Sequence, residues 1–231
     1  EKEGNIDGLQ NLTLNNNRQD TSLMSQFMGY AIWDAARAPG SRCAFAKVTV
    51  NGRDLGVYCH VETVREPLLR REFGSDKGTL FEGTVVDFYD GWEGSLEHQR
   101  GDDKAGREKI RKLTRLLESG EASEEAIGRL VDLDAFYRYW AVEGLLGFWD
   151  GYSGNRNNFY FYLNPATDKL HFMPWGADSL FVRFSHINPD RRVPLSVKTG
   201  GFISNKLYQL PKGRERYRKT LLGILKSHWD E

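Results

Sequence analysis

The chain has 231 residues, of which 39% are hydrophobic and 13% aromatic, so it can build a core and global disorder is excluded. Its 32 basic and 32 acidic residues cancel, so its charge indicates neither nucleic acid nor an acidic membrane surface as a partner. No apolar run approaches the roughly 18 residues of a membrane span, and no signal peptide is recognisable.

The first ninety residues are predicted to be rich in strands. After a short extended segment, residues 22–37 show apolar side chains at helical spacing, which predicts a helix. The clearest element is a β-hairpin, in which "AFAKVTV" and "LGVYCHVE" alternate around the turn dipeptide Asn51-Gly52. Residues 65–74 predict a short helix that ends at a glycine, and "GTLFEGTVVDFYD" predicts one or two further strands.

The two cysteines, Cys43 and Cys59, flank this hairpin. They lack CxxC spacing and neighbouring histidines, so a zinc site is not indicated. A disulfide between them is geometrically conceivable, and two free thiols are an equal alternative.

The rest of the chain, from residue 107 to 231, is predicted to be rich in helices. Residues 90–106 are polar and glycine-rich and predict an exposed loop. Three helices are then expected over residues 107–120, 123–132 and 133–149, and the third is the most apolar. The segments "NNFYFYLNP" and "KLHFMPW" predict a second hairpin, and the last forty residues predict a loop and then a helix from about Lys212.

Grouped strands that pair mostly antiparallel predict an α+β fold, with residues 1–231 forming a single domain. The sequence has neither a GxGxxG nor a Walker motif, and a Rossmann sheet is not indicated.

One acidic loop carries the best candidate for chemistry. Asp150 directly follows the apolar helix, and Asn155 stands five positions later, with glycines between them. In the protein-kinase catalytic loop, D-x-x-x-x-N, the Asp accepts the substrate hydroxyl proton and the Asn holds Mg²⁺. After the second hairpin, Asp178 offers another hard oxygen ligand for such a metal. The sequence therefore predicts Asp150 as the catalytic residue and Asn155 and Asp178 as metal ligands.

This spacing also has an ordinary structural interpretation. Asp and Asn routinely cap turns and bond to nearby backbone groups, and D-x-x-x-x-N occurs often by chance. Taken alone, the spacing favours that interpretation.

The sequence also resembles the CotH kinase family. The similarity runs through "LTLNNNRQDTSLM", "VTVNGRDLGVYCHVE", "GTLFEG", "WDGYSGNRNNFYFY" and "HFMPWGADSLF", which lie in the family's order. The hairpin motif and the last two motifs are specific, whereas the first and third are loose.

The resemblance implies an atypical protein-kinase-like fold that binds ATP with Mg²⁺ or Mn²⁺ and phosphorylates Ser residues of a protein substrate. It also implies a secreted, cell-surface or spore-coat location. Asp150 matches the catalytic-loop aspartate, and Asn155 and Asn158 match the "GN-x-x-N" segment. Asp178 lies in the "PWD-x-D" segment. Glu62 matches the Glu that follows the "G-V-Y" strand, where it would orient a phosphate-contacting cation.

The chain departs from the family pattern at three places. Gly176 stands where the family often has the first Asp of "PWD", and Glu82 stands where many members have a Lys. The N-terminal segment with its Arg-Gly and Lys is not found, so the chain is expected to be truncated there. Its phosphate-binding cations are therefore unassigned, with Arg18, Arg42, Lys47 and Arg156 as equal candidates.

Two tryptophans, Trp149 and Trp175, border the predicted site, and either could stack on adenine or be a core aromatic. The loop with His186, Arg191 and Arg192 could face a substrate or form a solvated basic turn. The preferred hypothesis is ATP- and metal-dependent phosphoryl transfer to Ser or Thr of a Ser-rich protein. The alternatives are a binding module that kept the fold and lost turnover, and transfer of another group of ATP, such as AMP.

Overall fold

The computed structural model describes residues 11–181 and 197–229 of the chain. Its strands pair antiparallel and are grouped apart from most of the helices, so the predicted α+β class is confirmed. The elements in chain order are β1 (Thr13–Asn15), α1 (Ser25–Ala35), β2 (Cys43–Val50), β3 (Arg53–Val61), α2 (Glu66–Phe73), β4 (Thr79–Gly83), β5 (Glu97–Arg100), α3 (Asp103–Glu118), α4 (Glu124–Gly128), α5 (Leu133–Leu145), β6 (Phe159–Asn164), β7 (Lys169–Pro174), α6 (Phe202–Gln209) and α7 (Pro211–His228).

A small sheet with the order β1-β3-β2 contains the predicted first hairpin. Asn51 and Gly52 both have positive φ, as the tight turn between β2 and β3 requires. Helix α1 packs on one face of this sheet, where the rings of Phe27 and Phe45 stack 4.8 Å apart. The hairpin prediction is confirmed.

A larger sheet with the order β5-β4-β6-β7 forms the centre of the fold. Because successive side chains of a strand point to opposite faces, the two faces of this sheet carry different residues. One face contributes Phe81, Phe161 and Phe172 to the main aromatic core, which includes α5. The other face packs under α2 and contributes Leu80, Tyr162 and Met173. Helix α5 is buried on nearly all sides and packs against β7 of this sheet.

Some element boundaries differ from the sequence prediction. Residues 90–106 are not a continuous loop, since β5 pairs with β4 there. Helix α3 begins at Asp103 because the Asp102 side chain accepts a hydrogen bond from the Ala105 amide and caps it. Helix α6 was not predicted, because its eight residues span only about two turns, which is too short for apolar periodicity to indicate a helix.

Within residues 11–181 and 197–229, no helix is both long enough and apolar enough to cross a membrane.

Candidate functional site

The loop that follows α5 fixes the Asp150 carboxylate by three side-chain amides. Asn155 Nδ2 donates to Asp150 Oδ1 at 2.8 Å. Asn157 and Asn158 donate to Oδ2 at 3.1 and 2.8 Å. A carboxylate offers about four acceptor positions, so one position on Oδ1 receives no donor from the residues that the structure describes. Asp150 is half-buried, so part of the residue remains in contact with solvent.

The loop has this shape because its backbone closes on itself. The Asn155 amide donates to the Trp149 carbonyl at 2.9 Å, and the Arg156 amide donates to the Gly151 carbonyl at 3.0 Å. Gly154 is required at its position, since a Cβ there would overlap the Trp149 carbonyl oxygen. The predicted sharp turn is therefore present, and it brings the Asn side chains back to Asp150.

A buried carboxylate, Glu143 of α5, packs against this loop and supports it. It has no exposed surface, and its Oε1 accepts from the Tyr139 hydroxyl at 2.7 Å. Its Oε2 accepts from the Ser153 amide at 3.0 Å, and a Cβ on Gly151 would overlap the carboxylate. Burial raises the pKa of Glu143 to about 7.

A second buried carboxylate, Asp87, joins the loop to α6. It accepts from the Tyr152 hydroxyl at 3.0 Å and from the Phe202 amide, at the start of α6, at 2.8 Å. Burial raises the pKa of Asp87 to about 6. The Tyr152 hydroxyl in turn accepts from the Ile203 amide at 3.0 Å. The loop is thus anchored to two helices and to the segment after β4.

The turn that carries Asp178 meets the Asp150 loop at the end of the β6–β7 hairpin, where Phe159 pairs with Pro174. The Trp175 amide donates to the Asn158 carbonyl at 3.0 Å. Gly176 has a φ of +57°, and a Cβ there would lie 3.0 Å from Asn158 Cγ. Asp178 Oδ2 accepts from Asn15 Nδ2, on β1, at 3.0 Å. The small sheet therefore also contributes to this end of the site.

The oxygen atoms at this place suit Mg²⁺ or Mn²⁺. Asp178 supplies a carboxylate, and the Oδ1 atoms of Asn155 and Asn158 accept no hydrogen bond from the residues that the structure describes. Such cations prefer oxygen ligands, and Mg²⁺ is commonly bound by one or two carboxylates together with substrate phosphates. Among the described residues, no group of three or more His, Cys, Asp or Glu could hold a metal by itself. In type, these carboxylate and amide oxygens are the ligands that a hard divalent cation takes, and further ligands would have to come from elsewhere.

The structure places Glu62 in a separate network at the end of β3. Its carboxylate pairs with Arg42 at 3.2 Å and with Arg71 of α2. Arg42 is one of the residues predicted as a phosphate-binding cation, so Glu62 does pair with such a candidate. Glu62 and Arg42 both line a cavity of about 680 Å³ between β2, β3 and α2.

Three other predicted residues have partners of their own. Lys47 pairs with Asp54 at 3.1 Å. Trp175 is half-buried and meets the Tyr160 ring edge-on, 5.6 Å between centroids. Trp149 Nε1 donates to the Ser179 hydroxyl at 3.1 Å, which ties the Asp150 loop to the Asp178 turn.

The two cysteines are free thiols, so of the two alternatives the structure contains the unbridged pair. Burial and the neighbouring Cys59 raise the pKa of Cys43 to about 12. His186, Arg191 and Arg192 lie outside the described residues.

Four residues of the site were not predicted from the sequence: Asn15, Asp87, Glu143 and Asn157. Two of them carried a signal, because Glu143 is a lone acid in the most apolar helix and Asp87 stands between Val86 and Phe88. A buried carboxylate needs hydrogen-bond donors, so each indicated a specific contact. Asn157 falls on a variable position of the "GN-x-x-N" pattern, and the link from Asn15 to Asp178 is purely tertiary.

These features define an α+β domain in which an Asp–Asn loop and a second acidic turn meet at one end of an antiparallel sheet. A family model described as "CotH kinase protein" matches residues 1–228, and the chain belongs to that family. Inner spore coat protein H of Bacillus subtilis (strain 168) is 24% identical over 237 residues, covering 95% of this chain. The match covers 63% of that relative's length.

Proposed function

We propose that this domain transfers the γ-phosphoryl group of ATP to a Ser or Thr hydroxyl of a protein, with Mg²⁺ or Mn²⁺ as cofactor. The observation that supports this most is the Asp150 carboxylate, which three Asn side chains fix while one acceptor position on Oδ1 is left. A carboxylate held in this way can accept the hydrogen bond of an incoming hydroxyl and then its proton.

The surrounding residues have complementary roles in this proposal. Asp178, with the Oδ1 atoms of Asn155 and Asn158, would hold the cation. When bound, the cation would neutralise charge that develops on the phosphates. Trp175 would provide an aromatic surface for the adenine, and Glu62 would orient Arg42 towards a phosphate. Because the reaction needs mainly positioning and charge stabilisation, these few side chains are sufficient.

The name of the Bacillus subtilis relative supports a location in the spore coat. That protein is called an inner spore coat protein. We propose that this chain is secreted or lies in the spore coat or at a cell surface, and that its acceptor is a Ser-rich protein of the same layer.

The test is transfer from γ-labelled ATP, with Mn²⁺, to a Ser-rich acceptor protein. Removal of a general base typically costs 10²- to 10⁴-fold, so Asp150→Ala should lose about that factor. Glu125→Ala is the matched control, since Glu125 is an exposed acid on α4 that contacts Arg129, and it should retain full activity. Equal transfer by wild type and Asp150→Ala would refute the role of Asp150, and no transfer by a wild type that binds nucleotide would refute the kinase hypothesis.

A binding module that kept the fold without turnover is the second candidate. Gly176 and Glu82 stand at positions where the family often has Asp and Lys, and no set of three acidic, His or Cys ligands forms among the described residues. The melting temperature with and without ATP and Mn²⁺ separates the two, because a ligand well above its Kd stabilises the folded state. No shift with any nucleotide would favour the module. Intact-mass analysis of the acceptor would distinguish a transferred phosphate from AMP.

A further inference from the structure

Val85 has an unusual backbone conformation beside the Asp150 loop. It follows β4 by two residues, and its φ is +47°. A β-branched side chain is strained in this left-handed region because its Cβ substituents crowd the backbone. Among residues 11–181 and 197–229, Val85 is the only β-branched residue with positive φ. Its side chain is also 55% exposed, so it does not fill the core.

The contacts around Val85 hold it in this conformation and connect it to Asp150. The Val85 amide donates to Asn157 Oδ1 at 3.1 Å, and the Nδ2 of the same side chain donates to Asp150 Oδ2 at 3.1 Å. The Val86 amide donates to the Arg156 carbonyl at 3.0 Å. One carboxamide group therefore lies between the Val85 backbone and the Asp150 carboxylate.

The fold does not explain why this residue is valine. Val86 and Asp87 are buried and anchor the segment, whereas the Val85 isopropyl group is turned towards solvent. Glycine would adopt the same φ without strain and keep the backbone hydrogen bond. Strained residues that their surroundings hold in place tend to occur at functional sites. An exposed apolar group at this position is therefore available for contact with a ligand.

We propose that Val85 forms an apolar wall of the acceptor site, where it contacts the residue next to the Ser or Thr that Asp150 activates. This rests on the proposed function. Val85 would favour acceptor peptides with an apolar neighbour of the hydroxyl residue over peptides with a charged neighbour. Asn157 would keep this wall and the Asp150 carboxylate in a fixed relation.

The experiment compares two acceptor peptides that each contain one Ser, flanked by Val in one and by Asp in the other. Wild type should show a kcat/KM about tenfold higher for the Val-flanked peptide, the size of effect that one apolar contact can give. Val85→Gly and Val85→Asn, both compatible with positive φ, should bring this ratio near one without a change in KM for ATP. Leu222→Ala, which truncates a side chain on α7 that is 49% exposed, should leave the ratio unchanged. An unchanged ratio in Val85→Gly would overturn the proposal.

A binding measurement separates this proposal from the kinase hypothesis itself. Fluorescence anisotropy of the labelled Val-flanked peptide is followed with the full chain, Mn²⁺ and a non-hydrolysable ATP analogue. Val85→Gly should weaken binding about tenfold relative to wild type. If wild type transfers phosphate to neither peptide, the proposed function fails and anisotropy still decides on Val85. Equal peptide affinity of wild type and Val85→Gly would overturn the assignment of the acceptor wall.

Discussion

The loop that carries Asp150 and the turn that carries Asp178 are held in very different ways. Asp150 accepts hydrogen bonds from three Asn side chains, and the loop rests on the buried carboxylate of Glu143. Among the residues that the structure describes, one side-chain amide, that of Asn15, donates to the Asp178 carboxylate, and the turn begins with a glycine of positive φ. The described residues therefore preorganise the first carboxylate, whereas they place few restraints on the second.

This difference agrees with a division of labour in the proposed reaction. A general base has to be in place before the acceptor arrives, because its geometry decides the rate. A metal ligand can be ordered by the cation itself, since the cation supplies a strong local charge. On this basis the Asp150 loop should be rigid and the Asp178 turn adjustable.

The largest effect is expected from Glu143→Ala. The change leaves the Tyr139 hydroxyl and the Ser153 amide without their acceptor and creates a cavity, so it should destabilise the fold by about 3 kcal/mol. Asp178→Ala removes one partly exposed hydrogen bond and should cost about 1 kcal/mol or less. Urea unfolding of both variants measures the contrast, and equal losses would contradict it.

Gly151→Ala should give the next largest effect. The new Cβ would overlap the Glu143 carboxylate and the Phe148 ring, so the loop has to move, at a cost of about 1–3 kcal/mol. Gly94→Ala is the matched control, because a Cβ on Gly94 would meet nothing within 4 Å and the φ of this residue is not positive. The control should be neutral or slightly stabilising. Thermal melts compare the two, and a tolerated Gly151→Ala would mean that the loop is not rigid.

The local elements of this fold could be predicted from the sequence, and the support of the site only in part. The Asn51-Gly52 turn was predicted because its chemistry is local. The D-x-x-x-x-N spacing indicated that Asp150 and Asn155 belong to one tight loop, because that contact is also local. The contacts of Asn15 and Asp87 join segments far apart in the chain, and no local pattern encodes such pairs.

The pH dependence of stability should reveal Glu143 as well. Burial raises its pKa to about 7, above the ordinary value, so the folded protein keeps a proton that the unfolded chain has released. Stability from this group is therefore present at low pH and is lost as pH rises from about 4.5 to 7. Wild type should lose about 2.5 kcal/mol relative to Glu143→Gln over this window. Urea unfolding of both proteins at pH 5 and pH 8 measures this difference in stability. The contributions of the other carboxylates cancel, because the two proteins share them. Parallel curves for the two proteins would contradict it.

Gly176→Asp is expected to have the smallest effect on stability and the most specific effect on metal binding. The new Cβ would lie 3.0 Å from Asn158 Cγ, and Asp tolerates the left-handed region better than most residues, so the cost should be about 1 kcal/mol. The added carboxylate would stand beside Asn158 and two positions before Asp178, where it could share a cation with them. We expect Mn²⁺ to bind several-fold more tightly, because affinity rises with the number of charged ligands.

Gly176→Asn separates charge from shape in this test. It adds a side chain of the same size and a similar tolerance for positive φ, but no charge. Isothermal titration with Mn²⁺ and ATP should show tighter binding for Gly176→Asp than for Gly176→Asn. If both variants bind the metal as wild type does, position 176 does not lie next to the cation. The adjustable Asp178 turn then contributes no ligand from this position. If both variants bind the metal more weakly, metal binding requires the close approach of Gly176 to Asn158. The Asp178 turn is then less adjustable than its few hydrogen bonds suggest.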